Sequence, residues 1–158
     1  MMYVAIALTT VVLLAGVAVA VFLLLRRRPA PEVETSLEAA RDRFHIRREM
    51  LEAKFMTLAA ASGKPRGLTW MDCDFDNRVA FARDRHTRQL RALVAVTIRF
   101  EAVEGGDMED NPNVGNLRAA TAVFRFDEGQ WMTDGRAIFN LNPQEAIKYY
   151  QHELETAE

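Results

Sequence analysis

The chain has 158 residues, 20 Lys and Arg against 22 Asp and Glu, and a net charge of −2. That near balance excludes the bulk positive field by which nucleic-acid-binding domains are drawn to phosphate. A single cysteine, Cys73, excludes an intrachain disulfide and fits a reducing compartment.

Residues 3–25 carry no charge, no proline and one glycine, and the run is closed by Arg26, Arg27, Arg28 and Pro29. At about 1.5 Å per residue a helix of this length crosses roughly 30 Å of hydrocarbon. A cleaved secretory signal has its basic region before the apolar core, and here the cations follow it. The segment is therefore expected to be a transmembrane anchor in contact with membrane lipid. Its basic flank places the N-terminus outside and the remainder in the cytoplasm of a single-pass inner (cell) membrane protein. The span has no ionisable side chain, which argues against an ion or proton path. Gly16 and Ala20 form a small-xxx-small pair of the kind that supports self-association, although such pairs are common in Ala- and Val-rich spans.

The organisation expected is an anchor with its basic stop at residues 1–28, a linker at 29–35, and one cytosolic domain at 36–158. Thr35 and Glu38 stand at capping-box spacing. Leu37, Ala40, Phe44, Leu51, Phe55 and Leu58 then recur at helical spacing, with Arg41, Asp42, Arg48, Glu49 and Glu52 on the other side, until Gly63 and Pro65 stop the helix. A coiled coil is disfavoured because heptads counted from Leu37 put Arg47 and Lys54 on a seam position. After Gly67 the period becomes two. Strands are predicted over residues 68–75, 79–83 and 89–103, the last with Leu90, Ala92, Val94, Val96, Ile98 and Phe100 on one face. Residues 117–126, a turn at Asp127, Glu128 and Gly129, and residues 131–139 read as a hairpin. Asn142, Pro143 and Glu145 open a last helix with the stripe Ala146, Ile147, Tyr150 and Leu154.

This order predicts an α+β fold: a long amphipathic helix packed on an antiparallel meander of four or five strands, with a C-terminal helix. From residue 36 to residue 140, including the hairpin with Phe124, Phe126 and Trp131, the pattern resembles the cystatin-like and nuclear-transport-factor-like superfolds. Those superfolds host enzymes, transport factors and association domains, so the likeness implies a fold and leaves function open. The runs from Asn116 through Phe124 and from Thr133 through Ala137 resemble uncharacterised single-pass proteins of bacterial membranes.

Asp72, Asp74 and Asp76 are spaced like the start of a calcium loop. Asn77 and Arg83 stand where the turn glycine and the bidentate glutamate belong, so no metal site is expected. Asp72 and Asp74, with His86, are the candidates for a general acid/base pair if sheltered together. Arg83, Arg85 and Arg88, with Arg78, His86 and Arg91, form a basic cluster that suits an anionic lipid headgroup or phosphate, or simply a solvated hairpin tip. Trp70 and Trp131 are candidates for ligand contact. Glu104, Asp107, Glu109 and Asp110 make an acidic loop. Cys73, alternating with Met71 and Phe75, reads as a small buried hydrophobe. His45 and His152, on predicted helices, lack a second ligand at metal spacing. The chain lacks a Gly-rich phosphate cradle, His-Glu-x-x-His, Cys-x-x-Cys and Gly-x-Ser-x-Gly, and no cofactor is expected. The reading is a membrane-tethered binding or assembly module, with a protein partner or self-association. The alternative is a small acid/base enzyme with a pocket between helix and sheet.

Overall fold

The computed structural model describes residues 37–62 and 67–157. The expected anchor, its arginine stop, the linker, and the helix signals at Thr35, Gly63 and Pro65 lie outside the described residues. Within them, no helix is long and apolar enough to cross a membrane.

Helix α1 (Leu37–Ser62) buries Ala40, Phe44, Leu51, Phe55 and Ala59 at 2% exposure or less. These positions are spaced by fours and one seven, so they form one stripe. Arg41 and Arg48 depart from expectation. Both are half-buried on the flanks of the stripe, because their long stems cover apolar surface while their guanidinium groups reach backbone carbonyls. Arg41 lies 5.2 Å over the Phe81 ring and donates to the carbonyl of Ala157 at 2.9 Å.

The sheet has six antiparallel strands: β1 (Leu68–Asp84), β2 (Leu90–Ala102), β3 (Arg118–Asp127), β4 (Gln130–Met132), β5 (Ala137–Phe139) and β6 (Leu154–Thr156). Their order is β4-β3-β2-β1-β6, with β5 pairing β3 beside β4. The α+β class and the antiparallel sheet are as predicted. The two short strands expected at 68–75 and 79–83 are one continuous strand, interrupted by register shifts between Trp70 and Asp72 and between Phe75 and Val79. Extra residues at these bulges re-aim the side chains that follow. Leu68, Trp70, Cys73, Phe75, Val79 and Phe81 therefore all pack on the helix side, while Met71 is 39% exposed. On β2 the six residues from Leu90 to Phe100 that share a face are all in this core.

The single returning strand expected at 131–139 is broken in two. Four residues separate Met132 from Ala137 where their partners on β3, Arg125 and Ala122, are separated by two. At the break, Gly135 adopts φ +77 and lies against α1 so closely that a Cβ there would be 2.4 Å from the Ala59 nitrogen. The β3–β4 turn is the one read from sequence: Glu128 at φ 47 and Gly129 at φ 79 give the two positive angles of a type I′ hairpin.

The core centres on Phe44, whose ring meets Phe81, Phe124 and Trp131 edge to face at 5.9, 5.3 and 5.1 Å. The indole N–H of Trp131 donates to Ala40 O at 2.7 Å and ties the hairpin to the first turns of α1. On the other side of the sheet, a smaller cluster of Ala82, Leu93, Ala146, Ile147 and Leu154 lies under a short helix, α2 (Pro143–Tyr149). Asn142 and Glu145 cap α2 reciprocally, each side chain accepting the other's backbone N–H at 2.9 Å. The helix is shorter than predicted. It ends at Tyr150, and Leu154, expected on its stripe, belongs to β6, which pairs with the end of β1.

Candidate functional site

The acid/base candidates do not converge. Asp72 and Asp74 are exposed on β1, opposite Arg99 and Thr97 of β2. Asp72 accepts the N–H of Cys73 at 2.9 Å. His86 is exposed in the β1–β2 turn and its backbone N–H is held by Asp84. Asp84 is ten positions beyond Asp74 along β1, which at about 3.3 Å each is roughly 30 Å. Asp76 is bound by its neighbour: the side chain and backbone of Arg78 hold its carboxyl below the usual range, with Arg48 adding attraction. The space between α1 and the sheet is filled by Phe44, Leu51, Phe55 and Phe124, each at 1% exposure or less.

The basic cluster is spent on the fold. Arg85 and Arg88 pair with Glu155 of β6 at 3.1 and 2.5 Å, and Arg85 Nε also donates to Gln151 O at 3.0 Å. Arg83 donates to Arg88 O at 3.1 Å. Arg91 is paired with the buried carboxylate of Asp84 at 2.5 Å. Glu155 is thus a counter-charge to the turn, beside the β1–β6 ladder that holds β6 in place. Trp131 is buried and structural. Trp70 is half-buried, 5.0 Å from Phe100 and 6.4 Å from Phe139. Burial, with Asp72 beside it, pushes the Cys73 thiol up to about 11, so at neutral pH it is a protonated core group and a poor nucleophile. In the acidic loop Glu109 accepts the N–H of Gly105 at 2.8 Å. His45 is exposed on α1, and His152 is in the turn after α2, not on a helix. Among the described residues, no group of three or more His, Cys, Asp or Glu is placed to hold a metal ion.

The surface that does converge was not singled out from sequence. An open groove of about 450 Å³ runs between β5 and α2, lined by Arg136, Phe139, Asn140, Leu141, Tyr149 and Tyr150 together with the backbone of β5. A separate hollow of about 10 Å³, beside Leu93 and Glu153, shares Arg136, Ile138 and Tyr150 with it and is at the lower limit of what a single water needs. Tyr149 and Tyr150 stack edge to face at 5.0 Å. The guanidinium of Arg136 lies 5.9 Å from the Tyr150 ring centre. Tyr149 is 70% exposed and Phe139 44%. Thr121 sets one wall, its hydroxyl donating to Leu141 O at 2.7 Å and fixing the chain as it leaves β5.

Comparison with known protein families, curated proteins and solved structures finds no match to the chain.

The groove's chemistry is that of recognition. Among the described residues lining it, Arg136 is the one charged side chain, and the rest are aromatic, aliphatic or amide. Exposed tyrosines supply large contact area at low entropic cost and are enriched at interfaces. The sequence signal for this site is the Tyr149-Tyr150 doublet: with one ring turned toward the sheet, its neighbour cannot be buried by the same short helix.

Proposed function

We propose that this chain is a membrane-tethered binding or assembly module. Residues 3–25 hold it as a single-pass protein in the bacterial inner membrane, and the domain works from the cytoplasmic side through the groove between β5 and α2. The observation that carries this reading is the contrast between that open, aromatic, singly charged groove and the solvated placement of Asp72 and Asp74, with His86 remote from both. A general acid and base act within hydrogen-bond reach of one reacting group; Asp72 and Asp74 are neighbours exposed on β1, and His86 stands far along the strand from both, in the turn. Tethering favours a recognition surface of modest strength, since confinement to one leaflet raises the effective concentration of membrane neighbours. The long helix across an antiparallel sheet supports the cystatin-like or nuclear-transport-factor-like architecture, in which association domains occur beside enzymes.

Photocrosslinking in native membranes tests the module. A photoreactive residue at Tyr149 is expected to give a discrete, reproducible adduct, whereas the same residue at Ile46, 83% exposed on the outer face of α1, gives none. Identical smears of abundant bystanders from both positions would overturn the reading.

A further inference from the structure

The outer edge of β5 has its backbone groups arranged for one more strand. In the β3–β5 ladder Val123 N–H donates to Arg136 O at 3.1 Å and Asn140 N–H donates to Ala119 O at 3.0 Å. Antiparallel pairs alternate, so between these two pairs Ile138 is the residue bonded to its partner Thr121. The N–H and C=O groups of Ala137 and Phe139 consequently point away from β3. Among the described residues, no strand pairs with β5 on that side.

The long free edge of β1 is closed to such pairing. Beyond β6, β1 is broken by two bulges and carries Asp72 and Asp74 exposed. Arg48 occupies two of its carbonyls, donating to Asp76 O and to Asn77 O. Bulges and charges are the usual means by which an edge refuses a partner. β5 has no bulge in its ladder and no acid, and its edge borders the groove.

Resting on the reading of the groove as a recognition surface, we propose that β5 receives an extended acidic peptide segment of a partner protein as an added strand. Main-chain bonds to Ala137 and Phe139 supply the docking register, as in other strand-addition complexes. Arg136 selects for acid. It is exposed, it belongs to none of the ion pairs among the described residues, and its guanidinium rests on Tyr150, leaving its N–H fork for a carboxylate. Asp134, the nearest acid in sequence, is paired with Arg125. Tyr149 and Phe139 offer apolar shelves to the side chains flanking the acid.

The test uses the full chain in nanodiscs of zwitterionic lipid and labelled heptapeptides Thr-Val-Thr-X-Thr-Val-Thr with X as Glu, Gln or Lys. Fluorescence anisotropy should rank them Glu, Gln, Lys, with about a tenfold span between the ends, the factor that corresponds to about 1.4 kcal/mol. The Glu peptide should slow hydrogen exchange at the amides of Ala137 and Phe139. Ala137→Pro removes an outward N–H without breaking the β3 ladder and should abolish binding. Arg136→Glu should invert the ranking, and it serves where the proline variant does not fold. Absence of saturable binding at millimolar peptide, a Lys peptide that binds as well as the Glu peptide, or binding indifferent to both variants would overturn strand addition. A blank of this kind alongside a discrete Tyr149 adduct in membranes would sink this proposal and spare the module, whereas loss of that adduct would sink the module itself.

Discussion

Asp84 shows how a residue's neighbours decide its role. Its carboxylate is 6% exposed, accepts the backbone N–H groups of Thr87 and His86 at 2.9 and 3.0 Å, and pairs with Arg91 at 2.5 Å. The Thr87 and His86 hydrogen bonds and the Arg91 charge hold its pKa below the ordinary carboxylate value, against the opposing effect of burial. Unfolded, the group titrates near that ordinary value. Its stabilisation is thus complete above it and is lost as pH falls through the lower folded value. Asp84→Asn should flatten this part of the acid limb of a urea-unfolding profile and cost about 2–3 kcal/mol at pH 7, because it breaks a nearly buried pair. An unchanged profile would mean that the turn does not depend on the charge. In the sequence Asp84 is one acid between Arg83 and Arg85 of the basic cluster, and His86 is the residue that reads as a candidate acid/base group. Residue type announces chemistry, but shelter comes from contacts made across the fold. Here the contacts went to Asp84 and left His86 in solvent.

At the scale of elements, legibility followed regularity. The α1 stripe, the alternation of β2, the Glu128-Gly129 turn and the Asn142 capping box all repeat a local period or a local hydrogen bond, and all are in the fold. What was missed breaks a period. The bulges of β1 looked like a gap between two strands, and the Thr133–Arg136 interruption was invisible because its cause is α1, far away in sequence. The groove was missed for a different reason: its lining is local in sequence, between Arg136 and Tyr150, but no repeat or motif marks it. Gly135 carries this long-range constraint. A methyl group there meets the Ala59 nitrogen at 2.4 Å and the Leu58 carbonyl carbon at 2.7 Å, and φ is +77. Gly135→Ala should cost about 3 kcal/mol, from overpacking plus backbone strain. Gly115→Ala, with open space at its Cβ position, should cost under about 0.5 kcal/mol. Thermal unfolding of the two variants separates the cases, and equal shifts in Tm would refute the close approach.

For the whole molecule, Ser36–Glu158 form one compact unit. Its core is closed by contacts within that unit, from Phe44 and Trp131 to Ala157 against Phe81. Residues 29–158, freed of the apolar run, should therefore remain in the supernatant after high-speed centrifugation and unfold in one transition monitored by both tryptophan fluorescence and circular dichroism. Pelleting, or two separate transitions, would show that the domain needs its N-terminal segment to close. In the membrane-tethered reading proposed above, the kinks and carboxylates along β1 take on a further meaning. Molecules restricted to a plane collide edge-on far more often than in free solution, and a straight neutral border would let neighbouring copies zip into ribbons. On that reading the irregular, negatively charged border would keep each copy separate, so crowding in the bilayer need not become polymerisation.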